Sequence, residues 1–470
     1  MNVLAIDQGT SATKALIVGG GGHILASASV PVSVSLAPGG SAECDARELL
    51  DSIVRSGRAA LDQCAEPVDA VGIANQGETV VSFDPASGEP TGPALSWQDR
   101  RAASVTAALA PHAARLTELT GLPLDPYFSA PKMALLAERP GRVGPIDAWL
   151  NEQLTGQYVT DVATASRTLL LDLHSRDWSP EACDLFGVDP GALPRIATCA
   201  ERVGETEAFG PRLPVTGLAV DQQAALFAEG CLHEGESKCT YGTGAFLLAN
   251  AGSQPPRSSH GLSVSVAWSA AGATSYCVDG QVYAAGAALD WLARIGLIDG
   301  AADIDALCGT EAPSAREPCF VPALAGLGAP WWAPAATASW TDLTLASDRP
   351  SLVRAVVWGI AAHVALLARA LADDVGEISA LRVDGGLVRS RSLMQAQADL
   401  AQMPLEVYPS PDATALGVAA FARLGAGGET DARAAIGTWS PALRYEPRLD
   451  GGRAEEILAR VGTQTEVAAG

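Results

Sequence analysis

The sequence predicts an α/β protein built from two related domains around a cleft, and three observations lead to this fold class. The chain has 470 residues, more than one hydrophobic core usually organises. Two apolar hairpins with glycine–threonine tips, at residues 3–18 and 239–249, repeat one pattern in the two halves. Between them, the apolar run 213–220 ends at Asp221 and continues into good helix formers. A strand that turns into a helix in this way places Asp221 at the carboxyl edge of a sheet, where open α/β folds bind ligands.

Composition and charge describe a folded protein whose main partner is not a polyanion. Hydrophobic residues make up 48% of the chain and charged residues 18%, as in globular proteins. The formal net charge of −22 argues against nucleic acid or an anionic membrane as partner, because both attract a basic surface. The nine cysteines are scattered and form no Cys-x-x-Cys pair, which indicates reduced thiols and a cytoplasmic location.

Two apolar segments do not meet the requirements for a targeting signal or a membrane span. The N-terminal segment reaches the charged Asp7 without a basic region, unlike a signal peptide. Residues 355–368 are apolar but lie between Arg354 and Arg369 and are too short to span a bilayer. We therefore expect a buried helix at 355–368 and no membrane partner.

The first hairpin has a compact polar tip suited to an anion. Gly9 lets the backbone approach a ligand closely, and successive N–H groups in such a turn form an anion-binding nest. Thr10 and Ser11 add hydroxyl donors, and Lys14 adds a positive charge. Asp7, at the end of the first strand, is a candidate ligand for Mg²⁺, which takes one or two carboxylates besides phosphate oxygens and water. An ordinary hairpin loop is the alternative, because this pattern alone is a weak signal.

The second hairpin repeats the pattern with the tip Gly242, Thr243 and Gly244. Two such tips facing each other across a cleft would hold a triphosphate from both sides, although the sequence contains no Walker A motif. The acidic, glycine-containing stretch 229–236 precedes this hairpin and marks a domain boundary. We predict one domain at residues 1–234, a second at 235–428, and a tail at 429–470 that packs back on them.

Further glycines follow a strand in the second half of the chain. The apolar run 381–384 leads to Gly385 and Gly386 and then towards a helix near residues 392–398. Glycines at a strand-to-helix turn allow close contact with a nucleotide. A plain tight turn explains these residues equally well when they are taken alone.

Polar and aromatic residues in the first half indicate a pocket for a small hydroxylated ligand. The strand at 71–75 ends in Gln76 and Glu78, and the aromatic residues Trp97 and Tyr127 follow in later segments. Polar side chains suit the hydroxyls of such a ligand, and aromatic rings suit its carbon skeleton. Together with Asp221, these residues predict a binding pocket at the ends of the strands.

Asp221 has two candidate roles at this point. An aspartate at the start of a helix is most often an N-cap, whose oxygen accepts a backbone N–H. An aspartate at the carboxyl edge of a sheet can instead act as a general base. The stretch alone favours the cap, and the polar residues found elsewhere shift the interpretation towards the base.

Short motifs in a fixed order cover nearly the whole chain. They are residues 7–10, 75–76, 78–79, 97–98, 125–128, 147–150, 165–168, 221–227, 240–244, 326–330, 382–386 and 414–417. In these motifs the chain resembles the FGGY family of carbohydrate kinases, and within it the glycerol kinases. Each motif is weak by itself, and their collinear order makes the resemblance specific.

The resemblance implies two ribonuclease-H-like domains of the actin and hexokinase type, which close on ATP and a substrate. It also implies a kinase that transfers the γ-phosphoryl group of Mg²⁺-ATP to a terminal hydroxyl of a small polyol or sugar, with Asp221 as the base and Asp7 as a metal ligand. The implied substrate site comprises Gln76, Gly77, Glu78, Trp97, Tyr127, Asp221, Gln222 and Phe246. The implied nucleotide site comprises Thr10, Ser11, Lys14, Gly242, Thr243, Gly286, Gly385 and Gly386. A homodimer or homotetramer is a further expectation.

Three positions depart from the family pattern. Gly77 stands where glycerol kinases carry an arginine that binds substrate hydroxyls, so a longer polyol or a ketose, such as erythritol or a pentulose, is an alternative substrate. Lys14 replaces an arginine, and Ser390 or Arg391 replaces an asparagine near the adenine, which leaves the nucleotide preference open. A non-catalytic, actin-like ATP-binding module is the alternative of another class; it would explain the two hairpins but not the polar pocket.

Overall fold

The computed structural model describes residues 1–309, 311–314 and 316–470, which form two large mixed β-sheets flanked by helices. The predicted α/β fold class is confirmed. The strands, in chain order from β1 to β24, are Val3–Gln8, Ala12–Val18, Ile24–Pro31, Ser35–Ala37, Ser41–Cys44, Ala70–Asn75, Val80–Phe83, Ala94–Leu95, Arg142–Pro145, Val159–Asp161, Leu171–Asp172, Asp177–Trp178, Arg195–Ala197, Gly204–Thr206, Leu213–Val220, Ser237–Tyr241, Ala245–Asn250, Ser263–Ala270, Ala273–Val282, Cys319–Val321, Ser339–Thr341, Leu381–Asp384, Leu405–Val407 and Leu443–Tyr445.

The helices surround these sheets. In chain order from α1 to α15, they are Ala46–Asp62, Ala103–Ala108, Ala113–Thr120, Ser129–Leu136, Ile146–Thr155, Val162–Ser166, Pro180–Phe186, Asp221–Ala228, Gly286–Arg294, Ala302–Cys308, Arg349–Val375, Arg391–Ala401, Ala413–Gly425, Ala432–Ile436 and Gly451–Ala469. Short 3₁₀ helices occupy Gly20–Gly22, Ala110–His112, Pro190–Ala192 and Gly386–Arg389.

The two large sheets share the arrangement of their central strands, which confirms the prediction of related ribonuclease-H-like halves; the second sheet has one additional edge strand, β18. The first sheet has the order β14-β15-β6-β1-β2-β3, and the second has the order β18-β19-β17-β16-β22-β23-β24. In the first, β1 pairs antiparallel with β2 and parallel with β6. In the second, β16 pairs antiparallel with β17 and parallel with β22. Each predicted glycine–threonine hairpin therefore sits at the centre of its own sheet, with its tip at the edge where the parallel strands end.

Helix α13 lies on the first sheet although it comes near the end of the chain. It packs on β15, β6 and β1, opposite the face covered by α1. Glycines make this close approach possible, because a Cβ atom on Gly72 would lie 2.6 Å from the carbonyl oxygen of Val418 in α13. A Cβ atom on Gly217 would lie 2.5 Å from the backbone nitrogen of Ala422. The helix thus occupies a groove that side chains at these strand positions would fill.

Helices α8 and α13 cross at close range between the two sheets. A Cβ atom on Gly417 of α13 would lie 1.9 Å from the carbonyl oxygen of Ala224 in α8. The aromatic rings of Phe227 and Phe421 stack beside the crossing with 4.2 Å between their centroids. Helix α8 also contacts β16, β17 and β18 of the second sheet. The crossing therefore fixes the helix that begins at Asp221 against both halves of the molecule.

Helix α11 is the central helix of the second half and contains the apolar stretch 355–368. It spans 27 residues, so the helix is longer than the apolar stretch and by length and composition alone would suffice to cross a membrane. However, 83% of its most apolar window is buried inside the protein, against β17, β19 and β20. The expectation of a buried helix is met, and the stretch is a core element of the fold.

The C-terminal segment packs on the second half of the molecule. Strand β24 pairs antiparallel with β23 and becomes the edge of the second sheet. Helix α15 then contacts α11, α12 and β20. A buried hydrogen bond of 2.9 Å joins His363 Nε2 in α11 to Thr465 Oγ1 in α15.

Candidate active site

The two hairpin tips face one cavity of about 430 Å³ between the two sheets. Many of the residues predicted for the site line this cavity: Thr10, Ser11, Gly77, Glu78, Trp97, Tyr127, Asp221, Gln222, Gly242, Thr243 and Phe246. These side chains come from both halves of the chain. The structure thus brings most of the predicted substrate and phosphate residues together at the edge where the central strands end.

Asp221 is the first residue of α8 and lines the cavity. The N-cap position is occupied by Val220, so the carboxylate does not serve as the cap of this helix. Its Oδ1 atom accepts a hydrogen bond of 2.7 Å from the backbone N–H of Gln222. Burial and, next, the nearby carboxylate of Glu78 raise the pKa of Asp221 to about 6. A carboxylate with a pKa near neutrality, facing a cleft, is suited to accept a proton from a bound hydroxyl.

An aromatic wall forms one side of the cavity. The ring of Trp97 lies edge-to-face against Tyr127 and against Phe246, with 5.9 Å between the centroids in both cases. The indole N–H of Trp97 donates a hydrogen bond of 2.9 Å to Thr10 Oγ1 at the first hairpin tip. Because Phe246 belongs to β17 of the second sheet, this wall joins residues from both halves.

Glu78 and Gly77 lie side by side at the cavity, after the end of β6. Glu78 has a φ angle of 57°, a left-handed conformation that is uncommon for residues other than glycine and is often found at functional sites. A Cβ atom on Gly77 would meet only the Cγ2 atom of Val220, at 3.0 Å. Apart from this one contact, position 77 is open towards the cavity.

Two cations at this site were not found from the sequence. Arg167 lines the cavity, donating hydrogen bonds to Glu78 (2.7 Å) and to Asp279 in β19 (2.6 Å). Lys238 is buried behind the cavity and donates to Gln222 Oε1, with a distance of 2.6 Å. The scarcity of lysine, with three residues in 470, was a signal that Lys238 has a specific position. For Arg167 the only signal was its place in the family motif at 165–168.

Gln76 and Lys14 are two of the expected residues that do not line the cavity. The side-chain amide of Gln76 is buried, donating to Gln8 Oε1 at 3.2 Å and accepting from Thr79 Oγ1 at 3.2 Å. Gln76 therefore supports the loop that carries Glu78. Lys14 forms an ion pair of 3.0 Å with Asp412, the residue before α13.

A second cavity of about 240 Å³ adjoins the second hairpin tip and contains most of the remaining nucleotide candidates. Gly242 and Thr243 line both cavities, and Gly286 and Gly386 line the second one. Gly385 has a φ angle of 93°, and a Cβ atom there would lie 2.4 Å from the carbonyl oxygen of Tyr241, so only glycine fits. This turn is therefore more constrained than the plain tight turn that the sequence left open.

The residues considered for the adenine side have a structural role. Ser390 caps α12, and its hydroxyl donates a hydrogen bond of 2.9 Å to Asp305. The backbone N–H of Arg391 donates to the same carboxylate at 3.1 Å. Neither residue lines the second cavity.

Asp7 lies in a group of carboxylates that favours a bound cation. Burial and, next, the charge of Asp221 raise its pKa to about 7, and Asp412 and Asp384 act in the same direction. Lys14 opposes this shift only in part. Within the described residues, no three metal-ligating side chains lie close enough together to hold a metal ion by themselves.

Comparison with known families decides the identity of the fold. Residues 2–228 match the N-terminal domain and residues 237–426 the C-terminal domain of the FGGY family of carbohydrate kinases. The chain belongs to this family. The protein is therefore an ATP-dependent carbohydrate kinase, and the recognition made from the collinear motifs is confirmed.

Individual relatives cover nearly the full length of this FGGY kinase. It is 38% identical to the glycerol kinase of Dechloromonas aromatica, with 97% of this chain and 95% of the relative covered. It is 40% identical to the glycerol kinase of Gloeobacter violaceus, with 90% and 88% covered.

Solved structures show the same two-domain fold. The glycerol kinase of Plasmodium falciparum with ADP superposes with a TM-score of 0.88 at 28% identity, covering 99% of this chain and 98% of that one. A ligand-bound xylulose kinase from Lactobacillus acidophilus gives a TM-score of 0.87 at 21% identity, covering 99% and 97%. At that identity the second likeness concerns the fold alone.

Proposed function

We propose that this FGGY kinase transfers the γ-phosphoryl group of Mg²⁺-ATP to a terminal hydroxyl of a small neutral polyol or sugar, with glycerol as the first candidate. The observation that carries the proposal is the position of Asp221, at the start of α8 in a cavity bounded by both glycine–threonine tips. The relatives named glycerol kinase, at 38% and 40% identity, support the acceptor class. A non-catalytic ATP-binding module does not require this arrangement.

The charges of the cavity favour a neutral acceptor. Three carboxylate side chains, those of Glu78, Asp221 and Asp279, line the cavity together with the guanidinium group of Arg167. An acidic sugar would be repelled by this negative balance, whereas hydroxyl groups can donate hydrogen bonds to the carboxylates. The aromatic wall of Trp97 would pack against the carbon skeleton.

Asp221 would act as the general base. As the acceptor oxygen attacks the γ-phosphorus, its proton passes to the Asp221 carboxylate, and the bond from phosphorus to the leaving oxygen of ADP breaks. The Gln222 N–H that binds Oδ1 keeps the carboxylate oriented, and Lys238 holds the Gln222 side chain. Residues from both halves line the cavity, so closure of the cleft would exclude water as a competing acceptor.

The nucleotide would bind between the two hairpin tips and extend into the adjoining cavity of the second half of the molecule. The hydroxyl groups of Thr10 and Thr243 at the two tips would face the phosphates, and the adjoining cavity beside Gly286 and Gly386 would take the adenosine. Lys14 lies beside this region, in its ion pair with Asp412. Asp7 would hold Mg²⁺, whose charge stabilises the transferring phosphoryl group.

The substitution Asp221→Asn tests the base assignment. We expect the rate of ATP-dependent phosphorylation of glycerol and other polyols to fall by about 10²- to 10⁴-fold, because the amide cannot accept the proton. Binding of ADP, followed by isothermal titration calorimetry, and the circular dichroism spectrum should stay close to those of the wild type. Turnover at the wild-type rate would show that Asp221 is not the base.

A longer polyol or a ketose is a second candidate acceptor, favoured by the space beside Gly77. A further cavity of about 810 Å³ adjoins the first and shares Trp97 and Gln98 with it. Arg100 and Tyr283 form its polar side. An acceptor longer than three carbons could extend from the first cavity past Gln98 into this space.

The substitution Gly77→Arg separates the two acceptor classes. The new guanidinium group would fill the open position and supply hydrogen-bond donors for a short polyol. We expect the ratio of kcat/KM for glycerol to kcat/KM for erythritol, pentitols and ketopentoses to rise. An unchanged ratio would show that position 77 does not contact the acceptor.

A further inference from the structure

Arg167 joins two carboxylates that belong to different halves of the molecule. It follows α6 in the first half, and its side chain is 5% exposed. Its Nε atom donates to Glu78 Oε1 at 2.7 Å, and its Nη1 atom donates to Asp279 Oδ1 at 2.6 Å. Glu78 follows β6 of the first sheet, whereas Asp279 lies in β19 of the second. One guanidinium group therefore links the acceptor side of the cavity to the second sheet.

Arg167 is the only cationic side chain among the described residues that line this cavity. The neighbouring residue, Gly77, has no side chain. A carboxylate left without a partner in such a buried place is strongly disfavoured. Among the side chains that line the cavity, the positive charge of Arg167 therefore pairs with both Glu78 and Asp279. Gly77 provides no second positive charge beside Glu78.

The contact with Arg167 determines how Glu78 faces the cavity. The backbone of Glu78 is held in the left-handed region, and its Oε1 atom is taken by Arg167. The rings of Phe128 and Tyr127 lie 5.3 Å and 6.0 Å from the Arg167 guanidinium carbon, which holds the arginine from the side. Because Oε1 is fixed in this way, Oε2 is the Glu78 oxygen that can accept a hydrogen bond from a hydroxyl group of the bound polyol or sugar.

The end of α6 is also held against the second sheet. The backbone N–H of Val266 in β18 donates a hydrogen bond of 3.0 Å to Ser166 Oγ, next to Arg167. Arg167 Nη1 also donates a long hydrogen bond of 3.5 Å to Ser265 Oγ. The orientation of Glu78 therefore depends on the placement of the second sheet relative to the first.

We propose that Arg167 is a positioning residue that determines acceptor affinity by orienting Glu78, and that its bond to Asp279 couples this orientation to the relative position of the two domains. The proposal rests on the proposed function, because it assigns the acceptor side of the same cavity. Arg167 acts through Glu78, and the phosphate side of the cleft is not involved.

Steady-state kinetics of Arg167→Met and Arg167→Lys test the proposal. The wild type is first assayed with ATP against glycerol, erythritol, ribitol, xylitol and D-xylulose, and the best acceptor is used thereafter. For Arg167→Met we expect the KM for the polyol or sugar to rise about 10- to 100-fold, because Glu78, which binds this substrate, loses its charge-assisted hydrogen bond with Arg167. The KM for ATP should stay close to the wild-type value. Arg167→Lys should give an intermediate acceptor KM, because it keeps the charge but loses the forked geometry.

The link to the second sheet is tested with Asp279→Asn, and a matched arginine serves as control. Asp279→Asn should raise the acceptor KM as well, and the double variant Arg167→Met/Asp279→Asn should raise it no more than Arg167→Met alone. Arg354→Met breaks a part-buried ion pair of 2.8 Å with Glu317, on α11 away from both cavities. This control should leave the acceptor KM unchanged.

The outcomes separate this inference from the proposed function. If the wild type phosphorylates an acceptor and Arg167→Met leaves its KM unchanged, or raises the KM for ATP equally, the role of Arg167 is overturned while the proposed function stands. If the wild type neither phosphorylates the five acceptors nor is stabilised by any of them in a thermal-shift assay with ADP, both are overturned. Should Arg167→Met fail to fold, Arg167→Lys and Asp279→Asn decide the question by the same comparison of the two KM values.

Discussion

At the scale of single residues, the chemistry of the cleft depends on where carboxyl groups are buried. Asp221 and Asp7 both have a raised pKa because they are removed from water beside other acids. The two carboxyl groups are placed for different tasks, since Asp221 lines the acceptor cavity and Asp7 lies behind the first hairpin tip. Under the proposed function, the same physical cause would suit one group to accept a proton and the other to bind a cation.

Asp147 is a buried acid far along the chain from these residues, and it predicts a pH-dependent stability. Both of its carboxyl oxygens are buried without a hydrogen-bond partner in the described part of the chain. Burial, followed by the charge of Asp161, raises its pKa from 3.8 to about 7. Because the folded state binds this proton more tightly than the unfolded state, the protonated group is tolerated at low pH and stability is lost as the pH rises towards 7.

We therefore expect Asp147→Asn to gain stability relative to the wild type as the pH is raised. Urea unfolding at pH 5 and pH 8 should show a difference between the two proteins that is larger at pH 8, by up to about 2–3 kcal/mol. Asp62→Asn, at an exposed position at the end of α1, should follow the wild type at both pH values. A difference between Asp147→Asn and the wild type that does not change with pH would contradict the prediction.

At the level of residues, local motifs led to side chains that the structure places at one cavity. Asp221, Thr10 and Gly242 were found because each follows a strand in a recognisable turn, and turn geometry is encoded by adjacent residues. Arg167 and Asp279 were missed because their contact joins positions 112 residues apart. Such a pair depends on how two sheets meet, which a single stretch of sequence does not reveal.

At the scale of elements, the crossing of α8 and α13 is held by close backbone contact. Gly417 lies where α13 touches the carbonyl oxygen of Ala224, and Thr414 Oγ1 donates to the carbonyl oxygen of Asp221 at 3.4 Å. The crossing thus fixes the start of α8, where the candidate base is located. It also explains the motif at 414–417 in physical terms.

We expect Gly417→Ala to destabilise the protein although alanine favours helices. The added Cβ would overlap the backbone of α8, and overpacking of this kind typically costs about 1–3 kcal/mol. Gly462→Ala is a matched control, because Gly462 in α15 has no neighbouring atom within 4 Å of the added Cβ. That control should be neutral or slightly stabilising. Thermal unfolding of the two variants decides, and equal melting temperatures would contradict the role of the crossing.

The sequence predicted the regular elements near the site more completely than those at the periphery. The strands around both hairpin tips and the helix starting at Asp221 follow clear apolar patterns. Strand β24 was not predicted, because its three residues are mostly exposed and join the sheet only through pairing with β23. The length of α11 was also underestimated, since its ends are amphipathic and only its middle is continuously apolar.

At the scale of the whole molecule, two sheets with the same arrangement of central strands share one cleft. Both sheets contribute residues to each side of this cleft. The acceptor wall includes Phe246 from the second sheet, and the phosphate side includes Thr10 from the first. The relation between the halves was visible in the sequence because the hairpin pattern repeats. The relative placement of the halves was not, because it depends on contacts such as Lys14 with Asp412 that are remote in the chain.

This shared cleft predicts that acceptor and nucleotide assist each other's binding. A ligand that contacts both halves stabilises the closed arrangement and so prepares the cleft for the second ligand. We expect the affinity for ADP, measured by isothermal titration calorimetry, to rise by about 5-fold or more when the best acceptor is present at saturation. An equal Kd with and without acceptor would show that the two sides are independent.

The placement of α13 has a consequence for how the chain is made. The ribosome completes the first sheet's strands long before it adds residues 413–425, which cover one face of that sheet. Until then α13 is absent from the groove over Gly72 and Gly217. The amino-terminal half therefore leaves the exit tunnel with one face of its sheet uncovered. We therefore expect the first half to finish folding only after residues 413–425 have been synthesised. A late segment must return to the beginning, and only its arrival completes the first half of the enzyme.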